Sequence, residues 1–181
     1  MVKEVKIADS DIEYRIDYRN IKYPRLEFRT GKLELILPLR YKEEEKLIEK
    51  HKRWVNEKNK FILEAIKNSK NKKLDQRNEE ELKKFILRYC KKKGVQEVSF
   101  RKMKSKWASC SSNKNLTFNT EMKYLPLNLI KYIIFHEIIH LKERRDNEGF
   151  WGIIKKEFPD YQNREKDLFV YWFLVQRKQK I

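Results

Sequence analysis

Two histidines and a glutamate lie close together in the stretch HEIIH, residues 136–140. On an α-helix, residues four apart lie one turn above each other on the same face, so His136 and His140 can direct both imidazoles at one point. Glu137 falls on the neighbouring flank. In this pattern the histidines bind Zn²⁺, and the glutamate takes a proton from water that attacks a carbonyl. The spacing predicts His136 and His140 as zinc ligands and Glu137 as general base.

The residues around the histidine pair favour a common functional role of His136, Glu137 and His140 over a chance match to the pattern. A five-residue match can arise by coincidence, and a histidine on an apolar helix is often a core residue with a satisfied hydrogen bond. Here the stretch between Leu125 and Leu141 is apolar nearly all round, so three buried polar groups would be costly unless they act together. His51, the third histidine of the chain, shares an apolar stripe with Leu47 and Trp54 and is predicted to be a boundary or core residue.

A catalytic zinc usually has three protein ligands, and no histidine follows His140. Asp146 lies six residues after His140, at the interval of the third histidine in H-E-x-x-H-x-x-G-x-x-H sites, although Glu143 replaces the glycine of that pattern. The alternative is a solvated Asp146 paired with Arg144 or Arg145. Four further carboxylates stay open as rivals: Glu148, Glu157, Asp160 and Glu165.

The composition favours anionic partners without specifying one. Of 181 residues, 44 are Lys or Arg and 27 are Asp or Glu, which gives a formal charge of +17. The two cysteines, Cys90 and Cys110, are too few for a disulfide framework and favour a reducing compartment. No stretch approaches the ~18 apolar residues of a membrane span. We therefore expect a cytoplasmic protein without a membrane segment.

The first half of the chain predicts strands followed by helices. Apolar residues alternate in period two through three short runs before Pro38, and Thr30-Gly31 predicts a hairpin turn between the second and third. The helical period then extends from Lys42 to about Lys67. A further helix should begin after Asn78, which can cap it, and end before Gly94.

The second half supplies the elements that position the histidines. Residues 98–119 predict a hairpin with a turn at 111–115 and a bulge or bend near Lys102. The helix with HEIIH should run over about 126–145, followed by a short amphipathic segment and a last helix. Cys110 is predicted to be a small buried thiol at a strand end. The pattern predicts one domain over 1–181, with strands and a first helix in 1–75 and a core in 76–181.

Two blocks of the sequence match a family pattern. FRKMKSKWASCSSNKNLTFN, followed by YLPLNLIKYIIFHEIIHLKERRDNEGFW, resembles the YgjP-like metallopeptidases, which are similar in plan to SprT-like proteases and other zincins. The resemblance implies zinc ligation by His136 and His140, with Glu137 as the catalytic base. The third histidine of the family falls at Asp146, where aspartate can bind Zn²⁺ through oxygen. It also implies a strand edge that receives an extended peptide, for which Leu116–Asn119 is the candidate.

Two functions follow as expectations. The first is a zinc-dependent peptidase with an α+β, zincin-like fold, in which N-terminal antiparallel strands pack with helices around a central active-site helix. Its partner is a peptide or protein substrate. The second is a nucleic-acid-associated binding module with a structural or lost metal site, in which basic clusters contact the nucleic acid and Trp54 and Trp107 are available for stacking. The sequence does not indicate an oligomeric state.

Overall fold

The computed structural model describes residues 2–8, 10–29, 31–70, 72–91 and 93–178. Over these residues it has six α-helices and two small mixed sheets, which confirms the α+β class. The chain divides into two compact units, residues 1–70 and 71–181. Each unit has its own hydrophobic core.

The described residues of the N-terminal unit form four strands, of which the sequence patterns indicated three. They are β1 (Val2–Ile7), β2 (Ser10–Arg19), β3 (Arg25–Arg29) and β4 (Lys32–Pro38), in the order β1-β2-β4-β3. The predicted β3–β4 hairpin forms, with Gly31 at a φ of 85°, whereas Thr30 lies outside the described residues. The prediction of antiparallel strands is wrong at one place, because β2 and β4 pair in parallel. Period-two alternation reveals a buried face but carries no strand direction.

The predicted first helix is two helices, α1 (Glu44–Lys50) and α2 (Lys52–Ser69). His51 lies at the junction and is exposed, so its predicted position as a boundary or core residue is wrong. The periodicity that predicted burial assumed one continuous helix, and the junction interrupts it. Leu47, Ile48 and Val55 from these helices are buried with the apolar face of the sheet.

The sheet of the C-terminal unit consists of β5 (Glu97–Arg101), β6 (Ala108–Cys110) and β7 (Asn115–Asn119), in the order β5-β7-β6. The hairpin joins β6 and β7, while β5 pairs in parallel with the other side of β7. The apolar parity slips near Lys102 because one strand ends there and another begins at Ala108. β7 is the central strand, so the prediction that Leu116–Asn119 offers a free edge is wrong. Among the described strands of this sheet, β6 and β5 lie at the two edges, and β6 is the edge strand that belongs to the hairpin.

The rest of the described C-terminal unit includes four α-helices: α3 (Glu79–Cys90), α4 (Leu127–Ile139), α5 (Glu148–Glu157) and α6 (Tyr161–Lys178). Asn78 caps α3 as predicted, and Glu81 completes a capping box with it. Seven residues of α4 are buried, which agrees with its apolar sequence. In the described part of the chain, no helix is long and apolar enough to cross a membrane.

Candidate metal centre

The last turn of α4 and the residue that follows it carry the histidine pair. Pro126 precedes the first turn of α4, where its missing N–H leaves no helical hydrogen bond unmade. The helix ends at Ile139 and not near residue 145, so His140 is its C-cap. The Nε2 atoms of His136 and His140 lie 3.2 Å apart. The i, i+4 spacing therefore brings both imidazoles to one point.

The loop between α4 and α5 adds Asp146 to the pair. Its Oδ1 lies 3.4 Å from His140 Nε2, and one ligand atom from each of His136, His140 and Asp146 lies within 4.8 Å of the others. The Asp146 side chain is 57% exposed and that of His140 18%. At the end of the loop, Asn147 caps α5 by accepting from the Phe150 N–H at 2.9 Å. Capping fixes the position at which the chain leaves the loop.

A backbone contact sets the tautomer of His140. Its Nδ1 lies 2.9 Å from the Glu143 carbonyl oxygen. Because a carbonyl can only accept, Nδ1 carries the proton and donates it, which leaves the Nε2 lone pair free in the neutral ring. Metal-binding histidines are commonly oriented by such a second hydrogen bond.

Phe150 forms an aromatic wall behind the histidines and was not identified from the sequence. The residue is completely buried, and its ring stacks on His140 with centroids 4.5 Å apart and packs edge-on against His136 at 4.8 Å. Burial of His136 lowers the pKa of that imidazole to about 4, His140 acts in the same direction, and the charge of Asp146 opposes it. His136 is consequently neutral at pH 7, the form that binds a metal.

Glu137 occupies a buried position beside the pair and is only 7% exposed. Burial raises the pKa of its carboxyl to about 7, and the negative charge of Asp146 acts in the same direction. Lys106 and a hydrogen bond from the backbone of Cys110 oppose that rise. A carboxyl poised near neutrality can accept a proton and later release it.

A cavity of about 440 Å³ adjoins His136, Glu137 and His140. It is bounded by His136, Glu137 and His140 on one side and by residues 108–112 of β6 and the following turn on the other, with Lys106 and Arg144 also in its wall. Cys110 is partly buried at the end of β6, and burial raises the pKa of its thiol. Its predicted place at a strand end is confirmed, but it is only partly buried, because it lines the cavity as well as packing against the core.

The four rival carboxylates are not part of the cluster of possible ligands found among the described residues. Glu165 accepts a hydrogen bond of 2.6 Å from the Tyr132 hydroxyl, and Asp160 is paired with Arg164 at 2.8 Å. Trp107, which was expected to be available for stacking on nucleic acid, makes two contacts within the protein. Its indole N–H donates to the Leu168 carbonyl, and its ring packs edge-on against Trp172.

The donor set fits a tetrahedral zinc ion. It offers two imidazoles and one carboxylate, the ligand types found in catalytic zinc sites. Two nitrogens bound at about 2.0–2.1 Å in tetrahedral geometry are about 3.3 Å apart. Two of the three separations match this spacing, 3.2 Å between the two Nε2 atoms and 3.4 Å between His140 Nε2 and Asp146 Oδ1, and all three ligand atoms lie within 4.8 Å of one another.

Comparison with known proteins gives one family match. The model of the YgjP-like family, described as a metallopeptidase domain, matches residues 64–170. No curated protein matches. Among solved structures, the chain is similar to the metallopeptidase zymogen jannalysin of Methanocaldococcus jannaschii, at 26% identity with a TM-score of 0.41. The alignment covers 54% of this chain and 98% of that one.

Proposed function

Because the chain belongs to the YgjP-like family of metallopeptidases, we propose that it is a zinc-dependent enzyme that hydrolyses peptide bonds at the site on α4. His136, His140 and Asp146 hold the metal, and Glu137 is the general base. The observation that carries the proposal is the convergence of three ligand atoms within 4.8 Å beside a buried glutamate. A structural metal would need no such base and no adjoining cavity.

Each residue has a distinct task in this reaction. When bound, Zn²⁺ supplies a Lewis acid that polarises the scissile carbonyl and makes water a stronger acid. Glu137 takes a proton from the attacking water and passes it to the leaving amine, because a group that accepts the proton in one step can donate it in the next. His140 is held in its binding tautomer by the Glu143 carbonyl, and Phe150 excludes water from the rear of both imidazoles.

The edge of β6 supports binding of an extended substrate. β6 borders the cavity. Among the described strands, β7 pairs with one side of β6, and the other side of β6 has no strand partner. An extended peptide can add to such an edge through main-chain hydrogen bonds. We propose this strand, in place of β7, as the one that aligns the peptide beside Glu137.

Metal content tests the ligand assignment. Wild type, His136→Ala and Asp146→Ala are compared by elemental analysis after dialysis against a weak chelator. About one zinc per chain in the wild type and its loss in both variants is expected, since each supplies one of only three protein ligands. Glu157→Ala is the matched control, because it removes an exposed acid outside the cluster. If Asp146→Ala retained zinc, Asp146 would not be the third ligand, and another carboxylate would have to be assigned to that role.

Glu137→Gln tests the base. The variant keeps the shape of the side chain, should bind zinc as the wild type does, and should lose at least about 100-fold in kcat, the usual contribution of a general base. Glu143→Gln is the control, because the hydrogen bond between Glu143 and His140 uses the backbone carbonyl, which the substitution keeps. Cleavage by Glu137→Gln at the wild-type rate would contradict the assignment.

A further inference from the structure

Two cations lie in the wall of the cavity and have no part in the proposed chemistry. Lys106 and Arg144 both line it, next to the residues that hold the metal and the base. Lys106 lies close enough to Glu137, and Arg144 close enough to Cys110, to stabilise the negative form of each group. Neither cation forms an ion pair with a carboxylate of the described residues.

The backbone of Lys106 is fixed by the core. The Asn119 side chain is completely buried and donates to the carbonyl of Lys106 at 2.8 Å and to that of Met103 at 2.9 Å. The next residue, Trp107, accepts from the Asn119 backbone N–H at 2.8 Å. These contacts hold the start of the Lys106 side chain beside β6, unlike that of a lysine on a mobile surface loop.

The backbone before Arg144 is also fixed. Glu143 accepts from His140 Nδ1 through its carbonyl, and its own N–H donates to the Ile139 carbonyl at 2.9 Å. Arg144 therefore follows a restrained residue within the loop that presents Asp146. All four cations, Lys104, Lys106, Arg144 and Arg145, are exposed, but of these only Lys106 and Arg144 line the cavity.

The balance of charge leaves this cavity positive. Glu137 and Asp146 contribute two negative charges when both are ionised, and a divalent ion would offset them. The charges of Lys106 and Arg144 then have no counterpart in the cavity wall. A cleft lined by charge of one sign attracts ligands of the opposite sign.

We propose that the site selects substrates with a carboxylate within a few residues of the scissile bond, which Lys106 and Arg144 bind. The carboxylate belongs to an acidic side chain or to the free C-terminus of the peptide. This inference rests on the proposed peptidase function, since it names the substrate of the same site.

Binding is measured on the zinc-loaded full chain with Glu137→Gln, which holds peptide without cleaving it. The probes are N-terminally labelled pentapeptides of alanine with Glu or Gln at each position in turn, C-terminally amidated. A further all-alanine pair carries a free carboxylate or an amide. We expect the acidic member to bind about fivefold tighter, the upper range for a solvent-accessible ion pair. The advantage should shrink as salt rises.

Charge-neutralising variants assign the effect. Lys106→Gln and Arg144→Gln should each reduce the advantage of the acidic probe, whereas the matched controls Lys104→Gln and Arg145→Gln should retain it. The Glu series and the C-terminal pair separate the two sources of the carboxylate. Equal affinity for both members of every pair, or an advantage that survives Lys106→Gln and Arg144→Gln, would overturn the proposal.

Cleavage by the wild type separates this inference from the function on which it rests. Positional profiling of a mixed peptide pool should show enrichment of Asp and Glu, or of a free C-terminus, near the cleaved bond. Preferential binding of acidic probes without cleavage of any peptide would refute the peptidase and leave the carboxylate site. Cleavage without acidic preference, together with equal binding, would refute the carboxylate site and leave the peptidase.

Discussion

Buried Glu137 should make the stability of the metal-free protein depend on pH in a defined way. Burial raises the pKa of this carboxyl from 4.5 to about 7, so folding favours its protonated form. Stability gained in this way is fully present below pH 4.5 and is lost as pH rises through 7. A shift of this size corresponds to about 3 kcal/mol. Glu137→Gln cannot titrate and should not show the loss.

His136 masks this effect in the wild type, because its shift has the opposite consequence. Burial lowers the pKa of His136 from 6.5 to about 4, so stability is lost as pH falls through that range. The two contributions run in opposite directions over overlapping ranges. The informative quantity is consequently the difference in unfolding free energy between Glu137→Gln and the wild type at each pH.

The measurement is urea unfolding with chelator present, from pH 4 to pH 8, followed by tryptophan fluorescence. Trp107, Trp151 and Trp172 lie in the C-terminal unit, so the signal reports mainly on the unit that contains the site. Between pH 4 and pH 8, the unfolding free energy of Glu137→Gln should rise by about 3 kcal/mol relative to that of the wild type. Glu143→Gln should run parallel to the wild type. Parallel curves for Glu137→Gln as well would refute the claim that burial shifts this carboxyl.

Three further predictions concern the supports of the site and its surface. Asn119→Ala should lower the free energy of unfolding by about 3 kcal/mol, because three side-chain hydrogen bonds are lost, while exposed Asn113→Ala should have little effect in the same denaturation assay. Phe150→Ala should cost about 3–5 kcal/mol and weaken zinc binding in a chelator competition, unlike Ile153→Ala on the exposed side of α5. If the charge of +17 binds nucleic acid, affinity for duplex DNA should fall steeply with salt in a titration, and a salt-independent affinity would contradict that role.

Local patterns predicted those parts of the site that depend on one helix. The i, i+4 spacing of His136 and His140 requires only that residues around them be helical, and α4 satisfies it. The caps of α3 were equally readable, because Asn78 and Glu81 interact within one turn. Asp146 was identified by interval, although only the loop geometry brings its carboxylate to the histidines.

Features that depend on the pairing of distant segments were not predictable. Residues 98–119 show alternation but do not reveal that β5 pairs with β7, so the edge was assigned to the wrong strand. Phe150 is one apolar residue among many in its segment, and only the packing of α5 against α4 places it behind the histidines. The sequence offered one signal for Phe150: it is an aromatic residue ten positions after His140, in a helix that follows a short loop.

The early end of α4 has a further consequence for the charge of the site. Peptide dipoles align along a helix and leave about half an elementary negative charge on the carbonyls at its C-terminus. Since α4 ends at Ile139, with His140 as its cap, this end lies within the histidine pair. A helix continuing to residue 145 would have carried that end more than a turn beyond the pair. The backbone itself therefore attracts a cation at this point, in addition to the Asp146 carboxylate.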